Sequence, residues 1–242
     1  MTMSDMTRYV RISPNTSGYR TAPISKVTVH HMAGNCTVEV CGEIFANPSR
    51  QASSNYGVGS DGRVACYLEE EFHPWTSASY WNDDRAITLE VADYDLDEWS
   101  PSDAAYAATV ALCADICDRY GIEPSYTGDT DGTFTEHMMY APTSCPGPWW
   151  HEHMPEFIED VKAAMEGDFM SIDELLNDEL ATADDGNVPI WQLWSWAFTH
   201  ARRAEKKCDE IMARLERVQA GDIDYSELAK AVCDEQARRL QE

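Results

Sequence analysis

The stretch Thr135-Glu-His-Met-Met-Tyr-Ala-Pro-Thr-Ser-Cys-Pro-Gly147 places His137 eight residues before Cys145 and ends in a Cys-Pro-Gly turn. An imidazole and a thiolate held by one loop are two ligands of the kind zinc takes. Pro146 and Gly147 restrict the loop, so the thiol is aimed rather than free. Two ligands do not hold a catalytic ion, and a third has to come from elsewhere in the chain. The obvious donor is the His30-His31 pair, which closes the strand-like run Val27-Thr28-Val29. Two histidines and one cysteine leave the fourth position of a tetrahedral ion open to water, which separates a catalytic site from a structural one.

Outward from these points the chain alternates strands and helices. Residues 1–23 carry Pro14, Gly18 and Pro23 with little periodicity and read as an extended lead-in. Ile24 to His31 is a β-branched strand. Within Ala33 to Phe45, the spacing of Val38, Cys41, Ile44 and Phe45 suits a short helix packed on a sheet. Ala52 to Val58 and Val64 to Leu68 flank the turn Ser60-Asp-Gly-Arg63 and predict a hairpin. Ile87 to Ala92 is another strand. Ser100 as N-cap, Pro101 at N1 and Asp103 at N3 predict a helix through Val110, Cys113, Ile116, Cys117 and Tyr120 that stops at Gly121. A last helix is expected from Pro155 to Met165, with Gly167 ending it. Strands separated by helices imply an α/β sandwich with a central mixed sheet flanked by helices.

Four pieces occur in order: an apolar strand ending in His30-His31, Asn55-Tyr56-Gly57 before an Asp-Gly turn, Ile87-Thr-Leu-Glu-Val91, and His137-x7-Cys145-Pro-Gly. Together they resemble the zinc-dependent N-acetylmuramoyl-L-alanine amidases of type 2, the family related to phage T7 lysozyme and the peptidoglycan recognition proteins. The resemblance covers roughly Ile24 to Lys162. It implies Zn2+ held by His30 (the first histidine of the pair), His137 and Cys145. It implies that Tyr56 hydrogen-bonds the zinc water or the oxyanion, and that Glu90 lies near the metal as general base or as a group orienting a histidine. A carboxylate in an apolar strand is costly without a partner, which favours a site role for Glu90. Where T7 lysozyme carries a lysine two residues before the cysteine, this chain has Thr143, a hydrogen-bond donor without charge. The implied reaction is hydrolysis of the amide between N-acetylmuramic acid and L-alanine of the peptidoglycan stem. His31 is counted with the substrate side of the site. From position alone, His73, Trp75, Trp81 and Asn82 are expected along the substrate groove.

Composition bounds these readings. A chain of 242 residues, 43% hydrophobic, suits one domain of ordinary size with an appendage. No run of about 18 apolar residues predicts a membrane span. The segment Met1 to Arg8 lacks an apolar signal core, which leads to the expectation of a protein made in a host cytoplasm and released to the wall through a holin. The net charge is −25, with 25 acids and 9 bases in residues 1–165 and 8 acids without a base in residues 166–189. Such a field disfavours nucleic acid and anionic membranes as partners. Eight cysteines without an export signal argue against a disulfide framework. Cys113 and Cys117, four apart on a predicted helix, read as small core residues.

The organisation expected is therefore a zinc amidase catalytic domain over 1–165, an acidic linker over 166–189 and a C-terminal helical region over 190–242. In the last, Ile190, Trp194, Ala197, Ala201, Ala204, Cys208, Ile211, Leu215 and Val218 form a heptad seam, either a coiled coil or one arm of a hairpin. A homo-oligomer through this helix is one expectation. Trp191, Trp194 and Trp196 read as core and flank of that bundle rather than as a carbohydrate platform. The function implied is a phage endolysin acting on bacterial peptidoglycan. The alternatives are a non-catalytic peptidoglycan-binding module and a virion-associated wall-binding protein.

Overall fold

The structure, a computed structural model, describes residues 2–166. In chain order the elements are β1 (Thr7–Val10), β2 (Thr16–Tyr19), β3 (Lys26–His31), α1 (Val38–Ala46), β4 (Tyr56–Val58), β5 (Val64–Cys66), β6 (Phe72–Pro74), α2 (Tyr80–Asp83), β7 (Ala86–Val91), α3 (Asp103–Tyr120), β8 (Phe134–Glu136) and α4 (Pro148–Glu166). Short 3-10 turns at Pro48–Arg50 and His137–Met139 follow α1 and β8. Six strands make one mixed sheet in the order β1-β5-β4-β7-β3-β8, parallel except for the β4–β5 hairpin, and β2 and β6 form a separate antiparallel pair.

Side chains alternate across a sheet, and this chain uses the alternation to separate two environments. Val27 and Val29 of β3, Ile87 and Leu89 of β7, Tyr56 and Val58 of β4 and Phe134 of β8 are fully buried in one apolar cluster with α3 and α4. The residues between them are polar. Thr28, Thr88 and Thr135 are register partners across three strands, as are His30 and Glu90 across two. On this second face α1 covers only part of the sheet, through Val38, Cys41 and Phe45 against Ala65 and Tyr67.

Several boundaries differ from the sequence expectation, each for a local reason. The lead-in is not featureless: β1 joins the sheet parallel to β5, and β2 pairs with β6. The cap of α3 is Ser102, whose hydroxyl accepts from Ala105 N–H at 3.0 Å. Ser100 is instead tied to the preceding loop, its carbonyl accepting from Tyr94 N–H at 2.7 Å and its N–H donating to Asp95 O at 3.2 Å. Gly121 ends α3 at φ +62° as expected. Helix α4 starts at Pro148, not Pro155, and contains Pro155. Its buried stripe of Trp150, Met154, Phe157, Ile158 and Val161 runs across the proline. Burial of that stripe outweighs a lost backbone bond worth about 3 kcal/mol. Gly167, the linker over 166–189 beyond Glu166 and the heptad region over 190–242 lie outside the described residues.

Candidate metal centre and active site

The polar face of the sheet carries the site. His30 is the penultimate residue of β3, is 1% exposed, and sits in register with Glu90 of β7. His137 follows β8 directly and opens the 3-10 turn, while Cys145 lies in the loop before α4. That loop is tied down by backbone bonds: Met138 N–H donates to Cys145 O at 2.9 Å and Gly147 N–H to Ser144 O at 2.7 Å. Gly147 has φ +101°, and a side chain there would meet Trp99 Cβ at 3.1 Å.

Three donors converge from these elements. His30, His137 and Cys145 each offer an atom, all within 4.8 Å of one another. His30 Nδ1 is 3.6 Å from Cys145 Sγ, and the two imidazole rings have centroids 4.6 Å apart. Zinc–nitrogen and zinc–sulfur bonds of about 2.0 and 2.3 Å at a tetrahedral angle put N and S about 3.5 Å apart, so this separation fits a shared ion. The protonation states fit as well. Burial holds His30 well below its ordinary pKa and also lowers His137, leaving both neutral, the form that ligates. Burial pushes the Cys145 thiol up, with Glu90 adding to the effect. A thiol so placed ionises when a cation lies beside it. Among the described residues this is the one His/Cys/Asp/Glu cluster of ligating geometry.

The Glu90 carboxylate stands next to this cluster without a hydrogen bond or ion pair among the described residues. Burial pushes its carboxyl up to about 8, with Asp93 adding to the rise and Arg50 opposing it. Gly57 is its neighbour in β4. A Cβ at Gly57 would come within 2.3 Å of the Tyr67 ring, so only glycine lets Tyr67 lie across this face. Tyr67 donates its hydroxyl to Val38 O at 2.7 Å.

His31 is held beside the donors rather than among them. Its Nδ1 is 3.1 Å from Asp93, and its ring meets Trp99 edge-on at 5.1 Å. Asp93 also accepts from Gly34 N–H at 3.1 Å, which fixes the carboxylate. Thr143 is exposed, and its hydroxyl oxygen accepts from Cys145 N–H at 3.2 Å, so it shapes the cysteine loop.

Three expected site residues are elsewhere. Tyr56 is a correction: one residue out of phase with Gly57 and Glu90, it points to the helix-covered face. There its hydroxyl accepts from Ser4 N–H at 2.7 Å and donates to Glu70 at 2.5 Å. Asn82 and His73 are corrected too, because neither is exposed enough to line a groove. Asn82 is fully buried and donates to Thr28 Oγ1 at 2.9 Å and Ser77 Oγ at 3.1 Å. His73, 2% exposed, packs on Tyr80 and faces Asp84 at 3.6 Å. Trp75 and Trp81 of the same region do reach solvent, at 38% and 51%. Trp75 donates to Ser17 Oγ, and Trp81 stacks with Arg85 at 4.7 Å. Asp93 and the Thr28–Thr88–Thr135 row went unread in the sequence. The row was findable, since each threonine stands two residues before His30, Glu90 or His137 on the same face.

The comparisons agree with this geometry. The family model described as N-acetylmuramoyl-L-alanine amidase matches residues 20–148, more than half of the chain. A comparison with curated proteins finds no match. Among solved structures, the Staphylococcus aureus hydrolase AmiA, in complex with its ligand, is similar at TM-score 0.53 and 16% identity, covering 66% of this chain and 83% of that one. A mutant endolysin from Bacillus subtilis (TM-score 0.50, 16% identity) covers 63% and 97%. The structure of PlyL (TM-score 0.50, 16% identity) covers 65% and 97%. These likenesses are of fold, and the family match spans β3 through the cysteine loop, the segments that bring His30, Glu90, His137 and Cys145 together. This chain belongs to the type 2 N-acetylmuramoyl-L-alanine amidase family.

Proposed function

We propose that the protein is a peptidoglycan hydrolase that cleaves the amide between N-acetylmuramic acid and L-alanine, with zinc held by His30, His137 and Cys145. The observation that carries this reading is the convergence of those three donors on one polar sheet face, beside a carboxylate with no partner. A zinc ion bound there would supply Lewis acidity toward the scissile carbonyl and lower the pKa of a water. Glu90, with its proton affinity raised toward neutrality, accepts a proton from the attacking water at a carboxylate oxygen. It then returns that proton to the departing L-alanine nitrogen. His31, fixed by Asp93, keeps the wall beside the cysteine loop in place. Thr143 Oγ1 accepts from the Cys145 amide, so its hydrogen is free to donate toward the developing oxyanion. Endolysins among the proteins sharing this fold support a lysis setting, in which the protein meets the wall once the host membrane has been opened.

Product analysis of digested peptidoglycan tests the reading. New N-terminal alanine without new reducing ends is expected, lost with EDTA, restored by zinc and absent for Cys145→Ala. New reducing ends would mean a glycosidase and overturn it. Wall binding without any product would make the protein a recognition module.

A further inference from the structure

The residue after β8 is His137, so the hold of β8 on β3 decides where that imidazole stands relative to His30. Among the described residues, both side-chain hydrogen bonds between the two strands are made by Thr135. Its hydroxyl lies 2.9 Å from Thr28 Oγ1 and 3.4 Å from the Val27 carbonyl. From α2, Asn82 Nδ2 donates to the same Thr28 Oγ1 at 2.9 Å and to Ser77 Oγ at 3.1 Å, and Ser77 in turn donates to the Asp83 carboxylate. Thr28, Ser77, Asn82 and Thr135 are all fully buried.

One order of donors gives every hydroxyl proton of this row an acceptor: Asn82 to Thr28, Thr28 to Thr135, and Thr135 to the Val27 carbonyl. With water excluded, a group that loses its partner costs more than the bond contributes, so the chain resists opening at any link. Thr88 provides the contrast. It is equally buried and in register with Thr28, yet its hydroxyl meets Ser54, Thr76 and the Asn55 amide, none of them on β8.

From this arrangement we infer that Asn82, Thr28 and Thr135 form a latch that holds His137 against His30 and so sets how long the metal site keeps its ion. The inference rests on the ligand set proposed above and concerns the regulation of that same site. The three residues offer no ligand themselves; they act through His137 and are positioning residues.

The test follows zinc release from the full-length zinc-loaded protein to a chromogenic chelator. Thr135→Val and Thr28→Val, near-isosteric and without a hydroxyl, should each release zinc about tenfold faster than wild type. Thr135→Ser, which keeps the hydroxyl, should stay within about twofold, and Asn82→Leu should release about threefold faster. The Thr28→Val/Thr135→Val double variant should release zinc no faster than the faster single one, because two apolar groups leave no orphan between the strands. Thr88→Val should release zinc at the wild-type rate. Equal acceleration in Thr88→Val would mean general loosening of the sheet and overturn the proposal, as would unchanged release in Thr135→Val or additive effects in the double variant. A wild type that retains no zinc would sink the ligand reading instead, and the latch is then read in metal-free protein. There the β8 amides of Thr135→Val should exchange about tenfold faster than those of wild type while α3 amides are unchanged; equal exchange in β8 would overturn the latch.

Discussion

On one face of the sheet, Val27, Val29, Ile87, Leu89 and Phe134 are sealed under α3 and α4. On the other, Thr28, His30, Thr88 and Glu90 alternate with them along the same strands. Burial on the first face is compensated by packing, as apolar surface leaves water. On the second face it is compensated among the threonines and Asn82 by hydrogen bonds, but not at His30 or Glu90. His30 Nε2 is buried without a partner, and Glu90 has its charge suppressed. A protein tolerates uncompensated polar burial of this kind mainly where chemistry needs it. One strand can thus serve as scaffold and site at once, with a one-residue step separating the two.

Substitutions on either side of that step break or sharpen the contrast. The largest effect is expected from His30→Ala, which should abolish zinc retention and hydrolysis while far-UV circular dichroism stays native; retained zinc at one equivalent would remove His30 from the ligand set. Leu89→Ala, one residue from Glu90 but on the packed face, should cost about 2–5 kcal/mol in denaturant unfolding. Zinc content per folded molecule should not change, and if zinc is lost the two faces are not independent. Glu90→Gln should slow hydrolysis about 100-fold with little change in KM, and a loss under threefold would remove Glu90 from proton transfer.

The same variant carries a pH signature. With its pKa raised from 4.5 to about 8, Glu90 keeps a proton in the folded state that the unfolded chain has released. Its contribution to stability is therefore present below about pH 4.5 and declines as pH rises toward 8. In metal-free protein Glu90→Gln should then be more stable to unfolding than wild type at pH 9, by up to about 5 kcal/mol, and equally stable at pH 4. An equal difference at both values would contradict this account. The smallest effect is expected from Tyr56→Phe, about 1–2 kcal/mol of stability from Glu70 and Ser4 losing a partner, with hydrolysis within threefold. A large kinetic loss would return Tyr56 to the mechanism.

How far the sequence carried each of these residues depends on the range of the forces that place them. β3, the His30-His31 pair, the hairpin around Ser60-Asp-Gly-Arg63 and the Gly121 stop are encoded by neighbours a few residues apart, and all were legible. So was the burial of Cys113 and Cys117, which periodicity alone dictates. Tyr56 misled because its assignment needed strand phase, and that is set by pairing with β7 rather than by adjacent residues. Asn82 and His73 misled because long-range bonds to Thr28 and contact with Asp84 draw them inward. Ser100 is a good cap in isolation, but a bridge to Asp95 takes it first. Pro155 reads as a helix start until the stripe on both sides of it is seen to be continuous.

β8 is the last strand of the sheet, three residues long, with three register pairs to β3. His137 follows it directly, and Cys145 hangs from the same segment through Met138. Two of the three proposed ligands thus ride on the margin of the sheet, and the third is fixed in its neighbour. Margins of this kind open at lower free energy than the interior. Metal exchange should therefore proceed through fraying of β8 while α3 and α4 stay packed. An ion bound by these residues would clasp that margin to β3, and hydrogen-exchange protection of the Phe134–Glu136 amides would then read how long the ion stays.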